Sequence, residues 1–155
     1  MSRSTPLRLY GRESNAEELE WDWVDGELTR AGTYWVTART QGHPHPRPVW
    51  GVWMQERLYL SIGTLVTVKA LAADPTVTVH LESGTEVVIV EGTAVNDPVG
   101  SAVFAEYDRK YDWSYDVAQY GPLTVVAPTR ILAWQAAGWA GREGFRRAGR
   151  WEFGA

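Results

Sequence analysis

Residues 33–53 read TYWVTARTQGHPHPRPVWGVW. The first seven are rich in β-branched and aromatic side chains, Gln41-Gly42 is a turn signal, and 47–53 return in the same style. A β-hairpin is the expectation, with strands over 33–39 and 47–53. Extended geometry puts His43, His45, Arg47, Val49, Gly51 and Trp53 on one face, and Pro44, Pro46, Pro48, Trp50 and Val52 on the other. Proline has no N–H to give a ladder. Segment 43–48 is therefore expected at a sheet edge or in irregular form, with good pairing only after Val49.

Working outward, MQER (54–57) is the next turn and LYLSI (58–62) the third strand. Gly63 and Thr64 lead into TVKALAADP (67–75), a short helix stopped by Asp74 and Pro75. TVTVHLE (76–82) and EVVIVEGTAV (86–95) form a second hairpin around SGT. Asp97 before Pro98 reads as an N-cap with proline at the first helical position, opening a helix over 98–111 whose apolar face is Val103, Phe104, Tyr107 and Tyr111. LTVVAP (123–128) and RILAWQA (130–136) are late strands, followed by a Gly/Arg-rich loop and a short RWEF ending (150–153). Upstream, residues 1–14 read as an irregular arm. Asn15 with Glu18 resembles a capping box, and Trp23, Val24, Leu28 and Ala31 mark one face of a helix that Gly32 ends. Strands that come mostly in hairpins, with few helices between them, indicate a mainly β, antiparallel barrel rather than a βαβ sheet.

The chain has 155 residues, 45% of them apolar, which suits one domain with one core. It has no cysteine, so disulfides, thiolate zinc, iron–sulfur clusters and cysteine nucleophiles are excluded. A reducing cytoplasm is the expected location. No segment has the apolar length of a signal peptide or a membrane helix, so no membrane partner is expected. A net charge of −4 supplies no general basic field, and no nucleic-acid partner is expected. Nine tryptophans are many for a small domain, and some should line a pocket or a subunit interface.

Several groups could carry chemistry. The His43-x-His45 pair needs a further ligand before it can hold a metal, and the only other histidine is His80; hairpin-tip histidines and no metal site are the expectation. Arg47 sits where the edge meets the barrel, suited to forked hydrogen bonds with a phosphate. SIGTLVTVKAL (61–71) sets a strand end, a glycine, threonine hydroxyls and Lys69 at a helix start, which reads either as an anion site or as an N-cap followed by a solvated lysine. KYDWSYD (110–116) reads as a helix end with an exposed loop, its alternative being the rim of a substrate groove. Ser61, Ser83, Ser101 and Ser114 lack a nucleophile-elbow context, and no catalytic residue is assigned.

The order of motifs carries a resemblance. Gly42-x-Pro44-x-x-Arg47-x-Val49 is followed by a strand, then by Thr67-Val68-Lys69-Ala70, Asp74-Pro75-x-Val77 and Val90-Glu91-Gly92-Thr93-Ala94, with an echo in Arg150-Trp151-Glu152-Phe153. Over roughly residues 30–140 this resembles the pyridoxamine 5′-phosphate oxidase-like, flavin-binding split-barrel superfamily. The resemblance implies a six-stranded antiparallel split barrel of Greek-key type, a homodimer, and FMN or the deazaflavin coenzyme F-420 in a groove between subunits. It implies that Arg47 and Lys69 hold the cofactor phosphate. Pro48, Val49, Trp50, Ser61 and Thr67 are implied to line the cofactor groove, with Arg150 and Trp151 stacking or capping across the dimer.

Two departures refine that expectation. The family often has Ser-Arg-Lys-Ala where this chain has Thr67-Val68-Lys69-Ala70, one cation fewer. The Arg-x-His substrate clamp of the pyridoxamine-phosphate oxidases is missing from GREGFRRAGRWEFGA (141–155), which speaks against oxidation of a B6 vitamer. The Trp-rich segments are similar to the actinobacterial-type branch, whose members use FMN or F-420. A flavin supplies its own hydride chemistry, so the protein need only bind, orient and shield the ring. The implied function is hydride transfer to or from a small unsaturated or heteroaromatic molecule. A carrier that holds FMN, F-420 or haem without turnover is the alternative.

Overall fold

The computed structural model describes residues 4–154. Three two-residue strands come first: β1 (Arg8–Leu9), β2 (Arg12–Glu13) and β3 (Glu17–Glu18). Helix α1 (Trp21–Arg30) leads into β4 (Tyr34–Thr40), β5 (His43–Met54) and β6 (Arg57–Ser61). Then follow α2 (Leu65–Ala73), β7 (Thr76–His80), β8 (Glu86–Val95), α3 (Ser101–Tyr111), α4 (Val117–Tyr120), β9 (Thr124–Ala136) and β10 (Phe145–Glu152).

Strand β5 is long enough to serve two neighbours. Its first half, His43 to Val49, pairs with β4, and its second half, Trp50 to Met54, pairs with β6. β9 pairs with β6, β8 and β10, so the sheet runs β3-β10-β9-β6-β5-β4-β7-β8 and curls until β8 meets β9. All of these pairings are antiparallel except β3 with β10. The sheet holds eight strands where six were expected, because β10 and β3 extend it beyond β9.

The structure corrects several local expectations. Pairing of the proline-rich segment begins at His43 rather than after Val49. Pro44, Pro46 and Pro48 alternate with residues that can donate, so the missing N–H groups fall on the side away from β4, where β6 has not yet begun. Asn15 and Glu18 do not cap a helix. Glu17–Glu18 instead adds to the open side of β10, with Leu19 N–H donating to Ala148 O (3.1 Å), and α1 starts after Glu20. The arm over 1–14 is not wholly irregular either: Arg8–Leu9 and Arg12–Glu13 make a small hairpin, and Thr5 bridges Arg150. Residues 1–3 of that arm lie outside the described residues. Asp97 spends its carboxylate on Arg57 (3.6 Å), and α3 begins at Ser101 after Gly100. The two late strands are one, β9, which passes through Pro128 opposite a register shift at Glu91/Gly92 that accommodates the missing donor. Much of the expected Gly/Arg-rich loop belongs to β10.

Alternation places Tyr34, Val36 and Ala38 of β4 inside the curled sheet with Leu58, Leu60, Val77, Val79, Val88, Val90, Ile131 and Ala133. Val24 and Leu28 of α1 close one end, where Trp21, Trp53 and Trp151 meet. A second cluster lies on the outer face: Val52, Tyr59 and Val125 receive Val103 and Tyr107 of α3. Gly51 sits between the two clusters. A Cβ there would lie 2.7 Å from Leu60 Cδ2 and 2.8 Å from Tyr59 O, so the crossing of β5 from one partner to the other admits only glycine.

Candidate cofactor site

At that crossing the sheet opens a pocket of about 390 Å3. Arg47, Pro48, Val49, Trp50, Ser61 and Thr67 line it, bringing together residues of β5, the end of β6 and α2. The other three residues named for the cofactor lie elsewhere. Lys69 is exposed on α2 and does not line the pocket. Arg150 pairs its Nε with Glu152 Oε1 at 2.7 Å. Trp151 is 3% exposed and packs edge-on to Trp21 at 5.4 Å, so its ring is a core side chain rather than a free stacking surface.

The polar end of the pocket follows from the way α2 starts. Thr64 is the N-cap; its hydroxyl accepts from Thr67 N–H (3.3 Å) and shares a hydrogen bond with the Thr67 hydroxyl (2.8 Å). Thr67 is fully buried, which fixes this first turn. Gly63 and Thr64 line the pocket, so the positive end of a nine-residue helix borders it. No atom lies within 4 Å of a Cβ built on Gly63, leaving room at the turn. Arg47 lines the same pocket, exposed, with no carboxylate partner among the described residues; its guanidinium donates only to the neighbouring Pro46 O (2.7 Å).

Tyr107, Trp113, Tyr115 and Tyr120 line the pocket together with Trp50. α3 terminates at Asp112 in the left-handed region (φ 47°), and the chain folds back so that Asp108 caps it: Oδ1 accepts from Tyr115 N–H at 2.8 Å. Trp113 stands edge-on to Trp50 (5.8 Å), and Tyr107 packs against Tyr115 (5.1 Å). Trp50 and Trp113 remain 42% and 45% exposed, so their rings are available to a ligand. Burial pushes the Tyr107 and Tyr115 phenols up, with a hydrogen bond to Ser61 acting the other way on each. Both remain neutral hydroxyls near neutral pH. None of these residues is assigned to the cofactor by the sequence; Trp113 and Tyr115 fall in KYDWSYD (110–116), whose alternative reading is a groove rim, Tyr107 reads as part of the apolar face of a helix, and Tyr120 carries no signal.

Behind Trp50 lies a half-buried brace. Trp50 stacks on Tyr111 at 4.4 Å and 3°. Tyr111 OH donates toward Gly32 O and Gly51 O and accepts from Gly51 N–H (2.9 Å). Lys110 Nζ donates to Gly51 O and to Tyr34 OH, both at 2.9 Å, and sits over the Tyr34 and Tyr111 rings. Burial lowers the Lys110 ammonium to about 8, and burial likewise raises the Tyr34 phenol.

The residues present suit a phosphorylated ring cofactor. An unpaired guanidinium, helix-start hydroxyls, free space at Gly63 and exposed indoles come together in one lining. His43 and His45 lie on β5 outside this pocket, and His80 stacks on Trp35 while its Nδ1 meets Leu81 O at 2.7 Å. Among the described residues no helix is long and apolar enough to cross a membrane.

No family model and no curated protein matches the sequence. Solved structures do match the fold. A FAD-binding protein from Mesorhizobium loti superposes with a TM-score of 0.59 at 15% identity, covering 85% of this chain and 94% of that one. An F420 reductase gives 0.55 at 22%, covering 69% and 94%. A putative pyridoxamine 5′-phosphate oxidase from Listeria innocua gives 0.57 at 18%, covering 72% and 95%.

Proposed function

The fold is that of the pyridoxamine 5′-phosphate oxidase-like split-barrel superfamily, and from that premise we propose that the chain binds FMN or coenzyme F-420 in the pocket at the β5 crossing. It acts as an oxidoreductase that passes hydride between the ring and a small unsaturated or heteroaromatic molecule. The observation that carries this reading is that an unpaired Arg47, the Thr64-capped start of α2 and two exposed tryptophans line one pocket. Arg47 and the helix start hold a phosphate by charge-assisted hydrogen bonds. Trp50 and Trp113 offer faces and edges to a flat ring and exclude water from it. When bound, the ring supplies the hydride chemistry, and the pocket needs no acid–base pair of its own.

We place the protein in solution as a homodimer. Leu65, Val66 and Val68 are exposed apolar residues of α2, and Val68 lines a second, larger groove of about 880 Å3; burial of this apolar face against a second copy is favourable. Light scattering is expected to give twice the chain mass at micromolar concentration; a monomer at all concentrations removes this part of the proposal.

The central test is equilibrium titration of the purified protein, stripped of any bound ring, with FMN, F-420 and riboflavin in parallel. One phosphorylated ring is expected to bind at least tenfold more tightly than riboflavin. Equal affinity for riboflavin would show that no phosphate is held. A tightly bound ring that no hydride donor or acceptor can reduce or reoxidise would make the protein a carrier.

A further inference from the structure

Lys110 is a cation placed where the sheet has no negative charge to offer. Among the described residues no carboxylate lies within ion-pair distance of its Nζ, and its contacts are the Gly51 carbonyl, the Tyr34 hydroxyl and two ring faces. The charged groups on its own helix are Glu106 and Arg109, which bond to each other, and Asp108, whose Oδ1 accepts from Tyr115 N–H. From β4 it faces Tyr34, and beside it on α3 lies Tyr111. Desolvating an ammonium for two neutral acceptors is a poor way to stabilise a fold. Gly51, however, follows Trp50 directly, and the Lys110 bond to its carbonyl adds to the Gly51 N–H bond to Tyr111 OH and the pairing of Trp50 with Ser61 in seating the residue that walls the pocket.

We propose that Lys110 is a positioning residue for the cofactor site: by bonding Gly51 O it holds Trp50 flat against Tyr111 and so fixes the face that the pocket presents to a bound ring. This rests on the proposed cofactor reading. The chain of contacts is continuous, Lys110 Nζ to Gly51 O, Gly51 to Trp50, and Trp50 stacked at 3° on Tyr111. Removing Lys110 leaves no orphan: Gly51 O still accepts from Tyr111 OH at 3.0 Å, and Tyr34 OH still donates to Leu28 O at 2.5 Å. The fold therefore tolerates the loss, and what goes with Lys110 is the bond from α3 that, beside Tyr111, seats the Trp50–Gly51 segment against the stack.

The test compares Lys110→Met with the parent in three readouts. The melting temperature of Lys110→Met is expected to equal or exceed that of the parent, because a desolvated charge is gone. The near-ultraviolet circular dichroism assigned to the Trp50–Tyr111 stack, identified as the signal lost in Trp50→Phe, is expected to fall by more than half. Affinity for the phosphorylated ring is expected to drop roughly three- to tenfold, about the worth of one hydrogen bond, while inorganic pyrophosphate binding at Arg47 stays unchanged. A lower melting temperature with the stack signal intact would assign Lys110 an ordinary structural role and overturn the proposal. If the parent binds neither ring, the cofactor reading fails, and the dichroism of the two variants still decides whether Lys110 orders Trp50.

Discussion

At the Arg47 end of the pocket the functional groups lie close in sequence: a strand, a turn, a second strand and the helix that follows it. The Trp113 end is made by a helix end and the loop after it, tied to β5 by contacts that span 60 positions, such as Gly51 N–H to Tyr111 OH. One end is polar and local in origin; the other is aromatic and set by packing. The first depends on single charge-assisted bonds, so single substitutions should abolish its contribution. The second shares its contribution among several rings and a half-buried brace, so each substitution should cost less.

The joint between the two ends is the place to break both together. Gly51→Ala drives a Cβ into Leu60 and the Tyr59 carbonyl, and is expected to lower unfolding free energy by about 3 kcal/mol, read from denaturant midpoints at constant m-value. Arg47→Ala should leave stability unchanged and weaken the phosphorylated ring by roughly ten- to a hundredfold, the worth of one hydrogen bond to a charged group. Riboflavin should not notice that change. Trp113→Ala should weaken phosphorylated ring and riboflavin alike, by roughly two- to tenfold, as expected for one aromatic contact; an effect confined to the phosphorylated ligand would merge the two ends into one.

A subtler contrast is carried by pH. The folded chain releases the Lys110 proton near pH 8, whereas the unfolded chain keeps it to about the ordinary value of 10.5, so folding sheds a proton between these limits. Stability should accordingly rise with pH from about 8 toward 10, and Lys110→Met should flatten that rise. Above about pH 10 the buried Tyr34 phenol acts in the opposite sense, since only the unfolded chain ionises it there. The smallest effect is expected for Lys69→Ala, below twofold on ring affinity, because its side chain lies outside the pocket. A loss comparable to that of Arg47→Ala would mean that Lys69 reaches the phosphate of a neighbouring subunit.

The sequence by itself determined the hairpin of β4 and β5, a short helix after Gly63 and the candidacy of Arg47, because each is written in residues a few positions apart; the helix expected over 67–75 runs Leu65–Ala73, since the Thr64 N-cap starts it two residues earlier. It also contained the seam of β9, but Pro128 reads as a break until β8 supplies the register shift that absorbs it. Arg150-Trp151 looked like a cofactor motif; only the packing of Trp21 against Trp151 shows that ring committed to the core. Tertiary structure alone decided the aromatic end. The face of α3 that is apolar by periodicity settles on Val52, Tyr59 and Val125, and this docking carries Tyr107, Trp113 and Tyr115 to a pocket whose other wall lies half the chain away. Local propensity fixes which residues can form an element, but which surfaces meet is set by the burial of complementary apolar faces and by close approaches such as that at Gly51, which leaves no room for a side chain.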